Sequence, residues 1–187
     1  IQWQMSTDNG VTYNDIADGL DATGLTFSGV DTTTLGVTGV SIANNGVKFL
    51  CVLNFYLPSN PATLTVKNPV AITTQPVDQT VCVTGGTATF LAAATGDDLT
   101  YQWQVNSGSG WSNLANNATY SGATTASLLL TSPAASLNNN QYQVIVSGTA
   151  PCSPVTSSAA TLTITNVTVA ATSASICIGG ATTLNAT

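Results

Sequence analysis

Histidine, glutamate and arginine are absent from this chain. That excludes the Ser-His-Asp triad, the HExxH zinc motif, the Cys-His pair and the guanidinium clamps that hold phosphate. Charge of either sign is scarce, at 5% of 187 residues, against roughly 25% in an ordinary soluble domain. The cations are Lys48 and Lys67, the eight acids are all aspartates, and the net charge is -6. With no basic stripe, neither nucleic acid nor an anionic membrane surface is expected as a partner. No run approaches the roughly 18 apolar residues of a membrane span, so no membrane insertion is expected. No charged leader precedes Ile1, so the sequence is expected to start inside a longer gene product. Asp97 and Asp98 are neighbours on a turn, whereas acid–base work by two carboxylates needs them across a cleft. The chain reads as non-enzymatic.

What is present is a hydrophobic content of 43% and a surface left to Thr, Ser, Asn and Gln. Helical periodicity is nowhere sustained, while two-residue alternation is common. "TATFLAAAT" (87–95), "LTYQWQV" (99–105), "ASLLLT" (126–131), "QYQVIVS" (141–147) and "ATLTIT" (160–165) are strand candidates, separated by turn-rich pieces. In "YQWQV" the alternation puts Tyr101, Trp103 and Val105 on one face and the two glutamines on the other.

The sequence repeats itself. "FSGVDTTTLGVTGVSIANNGVKFLC" (27–51) runs beside "YSGATTASLLLTSPAASLNNNQYQV" (120–144) without a gap. "IQWQ" at the start matches "YQWQ" at 101–104, "PATLTV" (61–66) matches "AATLTI" (159–164), and "VCVTGGTATFLA" (81–92) matches "ICIGGATTLNA" (176–186) with one deletion. These matches predict an all-β chain of antiparallel β-sandwiches. Residues 67–165 form one complete domain, 1–66 the later strands (C to G) of another, and 166–187 the first strands (A and B) of a third. Joined in the order 166–187 then 1–66, the two partial pieces make one nearly complete domain. The expected assembly is therefore a repeating array of neighbouring copies, either covalent or made by strand donation between subunits.

"QTVCVTGGTATF", "LTYQWQVNSGSGWSNL", "YSGATTASLLLT" and "NNNQYQVIVSG", with their partial copies, cover nearly the whole chain. Their pattern resembles the tandem immunoglobulin-like repeats of large Bacteroidetes secreted and cell-surface proteins, including gliding-motility adhesins. The resemblance implies an extracellular or cell-surface location and a structural or adhesive role in a long filament or adhesin. It departs locally: the first copy has no cysteine near its last strand and a longer loop at 14–26. In an Ig-like sandwich Trp3 and Trp103 take the place of the buried third-strand tryptophan. Tyr142 takes the tyrosine-corner position, with Phe49 in the other copy.

Other residues carry narrower expectations. First and last strands of such a sandwich are neighbours, which suggests a Cys82–Cys152 bridge, with Cys51–Cys177 between copies as a weaker pairing. Disulfides would fit an oxidising compartment. No cofactor is implied, except that Asp15, Asp18 and Asp21 in a Gly-containing loop are a calcium candidate; a solvated insertion is the plainer reading. Consecutive Phe55, Tyr56 and Leu57 cannot all face a core and mark a contact with a neighbouring domain or subunit. Thr32, Asn117 and Asn166 lie in short glycosylation patterns. A carbohydrate-binding module is the alternative reading, with Tyr13 and Trp111 as stacking residues and a surface polysaccharide or cell receptor as partner.

Overall fold

The computed structural model describes residues 1–82 and 85–165. They divide into two compact units, Ile1–Pro69 with Thr149–Cys152, and Val70–Gly148 with the chain from Ser153. The division falls three residues later than the repeat alignment places it, so "KNP" stays with the first unit. The expected third piece, 166–187, lies outside the described residues.

The first unit contains β1 (Gln2–Ser6), β2 (Asn14–Asp15), β3 (Gly19–Leu20), β4 (Thr26–Ser28), β5 (Gly36–Thr38), β6 (Lys48–Leu53), β7 (Leu57–Pro58) and β8 (Ala62–Thr63). One sheet runs β2-β1-β6-β7, with β8 also on β6, and the other runs β3-β4-β5. Ile16, Leu25, Phe27, Val47 and Phe49 are buried between them.

The second unit contains β9 (Ala71–Thr74), β10 (Gln79–Cys82), β11 (Thr87–Leu91), β12 (Ala93–Thr95), β13 (Thr100–Asn106), β14 (Trp111–Asn113), β15 (Tyr120–Ser121), β16 (Ser127–Thr131), β17 (Gln141–Ser147), β18 (Val155–Thr156) and β19 (Ala160–Thr165). Its larger sheet runs β10-β19-β17-β13-β14, with β18 on β17; β10 and β19 are parallel and the other pairs antiparallel. Facing it are β11-β16-β15 and the pair β9-β12. The alternation of β11 and β16 buries Ala88, Phe90, Leu128 and Leu130 against Trp103, Tyr142, Val144 and Val146. Phe90 is stacked on Tyr142 at 4.8 Å between ring centroids and tilted on Trp103 at 6.3 Å. All five sequence-derived strands are present, with 87–95 broken at Ala92 into β11 and β12.

Around the tryptophan the repeat extends to individual hydrogen bonds. Gln102 Nε2 donates to the carbonyls of Trp103 (2.8 Å) and Leu114 (2.9 Å), and Gln2 Nε2 to those of Trp3 and Ile16, both at 2.8 Å. The Trp103 indole donates to Thr125 O and the Trp3 indole to Thr32 O, each at 2.9 Å. Those threonines close matching turns that open on Gly122 (φ 79°) and Gly29 (φ 76°). A Cβ at Gly29 would meet Thr34 O at 2.6 Å, and one at Gly122 would overlap Ser127 O, so "FSG" and "YSG" need their glycine. Ser157 Oγ accepts from the Val144 N–H at 2.9 Å, and Ser59 Oγ from the Cys51 N–H at 3.1 Å. Among the described residues, no buried side-chain nitrogen or oxygen lacks a partner.

Gln102 and Gln104 are half-buried, because both bond across strands instead of pointing to water. Gln104 donates to Asn113 and accepts from Gln143, each at 2.8 Å, in a row of amides across three strands.

At the tyrosine corner the Tyr142 hydroxyl meets the Tyr120 hydroxyl at 3.2 Å, not a backbone carbonyl upstream. Burial first, then the Tyr120 hydrogen bond, pushes the Tyr142 phenol well above the ordinary tyrosine range, so it stays neutral. In the first unit the corresponding rings are Phe27 and Phe49, with centroids 6.1 Å apart against 6.2 Å for the tyrosines. Both hydroxyls are absent together there, so no polar group is stranded. Tyr120→Phe alone is therefore expected to destabilise the second unit by about 1 kcal/mol. Adding Tyr142→Phe should cost less than the sum of the two single changes. A denaturation double-mutant cycle measures the coupling; strict additivity would contradict the pairing.

Candidate functional site

A hairpin tip is the most exposed apolar feature. Chain reversal between β6 and β7 occurs at Asn54 (φ 49°) and Phe55 (φ 63°), closed by a Tyr56 N–H to Leu53 O bond of 3.1 Å. Two consecutive left-handed residues make the tight turn that matches strand twist. Asparagine tolerates that region, but phenylalanine pays about 1–2 kcal/mol there. Phe55 is 86% exposed, Tyr56 91% and Leu57 65%. No core contact explains an aromatic pair held in water with Phe55 strained, and strain of this kind clusters at binding positions.

The same unit has a second apolar feature, where residues of both sheets leave one side of its core partly uncovered. Among the described residues β5 pairs only with β4. In the second unit the equivalent strand, β16, is also covered by β11. Trp3, Val30, Leu35, Val37 and Leu64 remain half-buried, whereas Trp103 is fully buried under Phe90. The half-burial of Trp3 differs from the buried core position that its sequence predicts.

The aspartates do not converge. Gln4 Nε2 donates to Asp15 at 2.7 Å; Asp18 accepts the Val30 N–H at 3.2 Å; Asp21 accepts from the Thr23 hydroxyl and from the Thr23 and Leu25 N–H groups. No group of three Cys or Asp side chains suited to a metal forms among the described residues. The 14–26 insertion is mostly solvent-exposed, but it carries one arm of the β3–β4 hairpin and is anchored by buried Ile16 and Leu25. Asp8, at the start of the same aspartate-rich stretch (8–24), caps the 7–13 loop through Ser6, Val11 and Thr12. A polar cleft of about 500 Å³ lined by Thr7, Asn9, Thr23 and 43–47 carries no charged group. Its buried Asn44 is engaged by Ser41 and Thr23.

The Cys82–Cys152 bridge is not formed, and both thiols are free. Cys82 closes β10 opposite Thr165, beyond the start of β17, while Cys152 lies in the connection after the end of β17. β17 spans roughly 20 Å, and a disulfide needs Cα atoms within about 7 Å. β10 and β19 are indeed neighbours, but Cys82 and Cys152 lie beyond opposite ends of β17. Cys51 is free, and Cys177 lies outside the described residues.

The sugar-related residues fall into distinct places. Trp111 on β14 is 38% exposed and Tyr13 is half-buried, so neither ring belongs to the buried core. Thr32 uses its hydroxyl inside its turn, at 3.0 Å from the carbonyls of Gly29 and Thr34. Asn117 is exposed, with Oδ1 accepting from the Thr119 and Tyr120 N–H groups, and Asn166 lies outside the described residues.

No family model matches the chain, and no curated protein does. Solved structures do. The chain is similar to the three titin domains I67–I69 at TM-score 0.54 and 14% identity, covering 88% of this chain and 54% of that one. It also matches the N-terminal four Ig domains of Dscam1 isoform 4.44 (TM-score 0.44, 21% identity, 88% of this chain and 37% of that one). A third match is the N-terminal Ig1-2 module of Drosophila receptor protein tyrosine phosphatase DLAR (0.41, 20%, 53% and 50%). The chain thus spans about half the length of the titin and DLAR structures. The fold is immunoglobulin-like. No described helix is long and apolar enough to cross a membrane.

Asp8 yields a pH dependence. The Thr12 hydroxyl and N–H, with Ser6 and Val11, hold its carboxyl well below the usual carboxylate range. A depressed folded-state value adds stability above the ordinary aspartate value of about 3.9, and loses it as pH falls below that. The first unit should melt at lower temperature as pH drops from about 4 towards 2. Asp8→Asn should flatten part of that fall in scanning calorimetry; an unchanged slope would contradict the cap.

Proposed function

We propose that the chain is a structural and adhesive module of a long extracellular bacterial filament or cell-surface adhesin, built as a repeating array of Ig-like domains. The observation that carries this reading is the duplicated hydrogen-bond lattice. Two units with different surfaces keep the same bonds around the tryptophan and its turn, as expected when selection acts on a spacer's fold and leaves its surface free to vary. The scarcity of charge fits an exterior protein that does not steer charged partners. The resemblance of "QTVCVTGGTATF" and "LTYQWQVNSGSGWSNL" to Bacteroidetes surface repeats supports the same location. In this reading Phe55, Tyr56 and Leu57 are the adhesive contact with a neighbouring domain, subunit or receptor.

The partial exposure of Trp111 keeps a second reading in view, a carbohydrate-binding module. Titration with surface polysaccharide separates the two: saturable binding lost in Trp111→Ala would favour it.

Immunogold labelling of intact producing cells tests the first reading. Label on the surface or along fibres is expected, and label appearing only after lysis would overturn it. Phe55→Gly tests the tip. Relief of the left-handed strain should stabilise the first unit by about 1 kcal/mol, while attachment of cells or fibres weakens. A variant that attaches as well as the parent would remove the tip from adhesion.

A further inference from the structure

The half-buried face of the first unit has a counterpart at every position. Val30 corresponds to Ala123, Leu35 to Leu128 and Val37 to Leu130, each pair 93 residues apart, and Leu64 corresponds to Leu162. All four counterparts are buried in the second unit, as is Trp103, the counterpart of Trp3. The first unit therefore has core-type residues along this face but lacks, among the described residues, the strand that would bury them. In the second unit that strand is β11. Ala88 lies opposite Leu130 and Phe90 opposite Leu128.

The chain carries a second copy of the β10–β11 sequence. Residues 176–186 match 81–92 with one deletion, which places Thr182 at the Ala88 position and Leu184 at the Phe90 position. The sequence alternation is right as well: in an extended strand Thr182 and Leu184 would share one face and Thr183 and Asn185 the other. From this we infer that residues 176–186 of a second copy add as an antiparallel strand to the free edge of β5, with Leu184 opposite Leu35 and Thr182 opposite Val37. The occupant is specific to this groove because β16, its equivalent in the second unit, is already covered by β11. One copy donates at its carboxyl end and accepts at the first unit, so the contact is heterologous and propagates head to tail. An open strand edge over an apolar face is otherwise an aggregation hazard. This inference concerns self-association of the chain and stands whether or not the protein is found at a cell surface.

Two variants test it in the full chain by sedimentation velocity. Leu184→Asp disables the donor and leaves the acceptor groove intact; Val37→Asp disables the acceptor and leaves the donor intact. The parent should grow in mass with concentration beyond 18.9 kDa. Each variant alone should stay monomeric, and an equimolar mixture should form a 1:1 dimer and nothing larger, because the dimer keeps no working donor–acceptor pair. Calorimetry of each variant should retain the transition of the second unit, which neither change touches. A parent that stays monomeric at every concentration overturns the inference, as does Leu184→Asp assembling like the parent. Loss of dimer in the mixture while the parent assembles overturns the pairing of these two surfaces.

Discussion

The side-chain amide of one glutamine, repeated, holds each sandwich in register. Gln102 and Gln2 each bridge the backbone of the adjacent tryptophan to the backbone across the next loop. Where that amide sits fixes the tryptophan ring, and the ring's indole N–H fixes the glycine-threonine turn on the opposite sheet. A chain with two lysines and eight aspartates has few ion pairs to draw on. Neutral amide and hydroxyl bonds take that place, each worth about 1 kcal/mol net but far more costly if left unmade when buried. That asymmetry explains why, among the described residues, no buried side-chain polar atom is left without a partner.

Comparing the two units separates what the lattice does from what the core does. Both have the same bonds around the tryptophan, yet only Trp103 is fully buried, because only it lies under Phe90. The Tyr120–Tyr142 pair and the Phe27–Phe49 pair occupy nearly the same geometry, so the corner tolerates loss of its hydroxyls when both go together. Polar bonds thus set position, and apolar cover sets burial.

Much of the fold was legible because both signals are periodic. Alternation in "YQWQV" and "ASLLLT" located β13 and β16, and the ungapped repeat from "FSG" located the matching turns. The candidate sites were less so. Aspartates at short spacing look alike whether they cap turns or bind a cation, and only the backbone path shows that Asp8 and Asp21 do the former. Strand adjacency suggested the Cys82–Cys152 bridge, but adjacency says nothing of which end each cysteine occupies. The left-handed turn at Phe55 has no sequence signal, since "NF" stands where Asn-Gly would announce it. The half-buried face along Leu35 and Val37 could have been found by reading the repeat for missing partners as well as for matches.

The parallel pairing of β10 with β19 has a mechanical side. β10 begins at Gln79 and β19 ends at Thr165, so tension applied at those two ends would pull the strands in opposite directions. Their register, from Gln79 with Leu162 to Cys82 with Thr165, lies along that line of force. The ladder is then loaded in shear, with its rungs sharing the load at once, whereas a hairpin pulled at its open end would unzip one rung at a time.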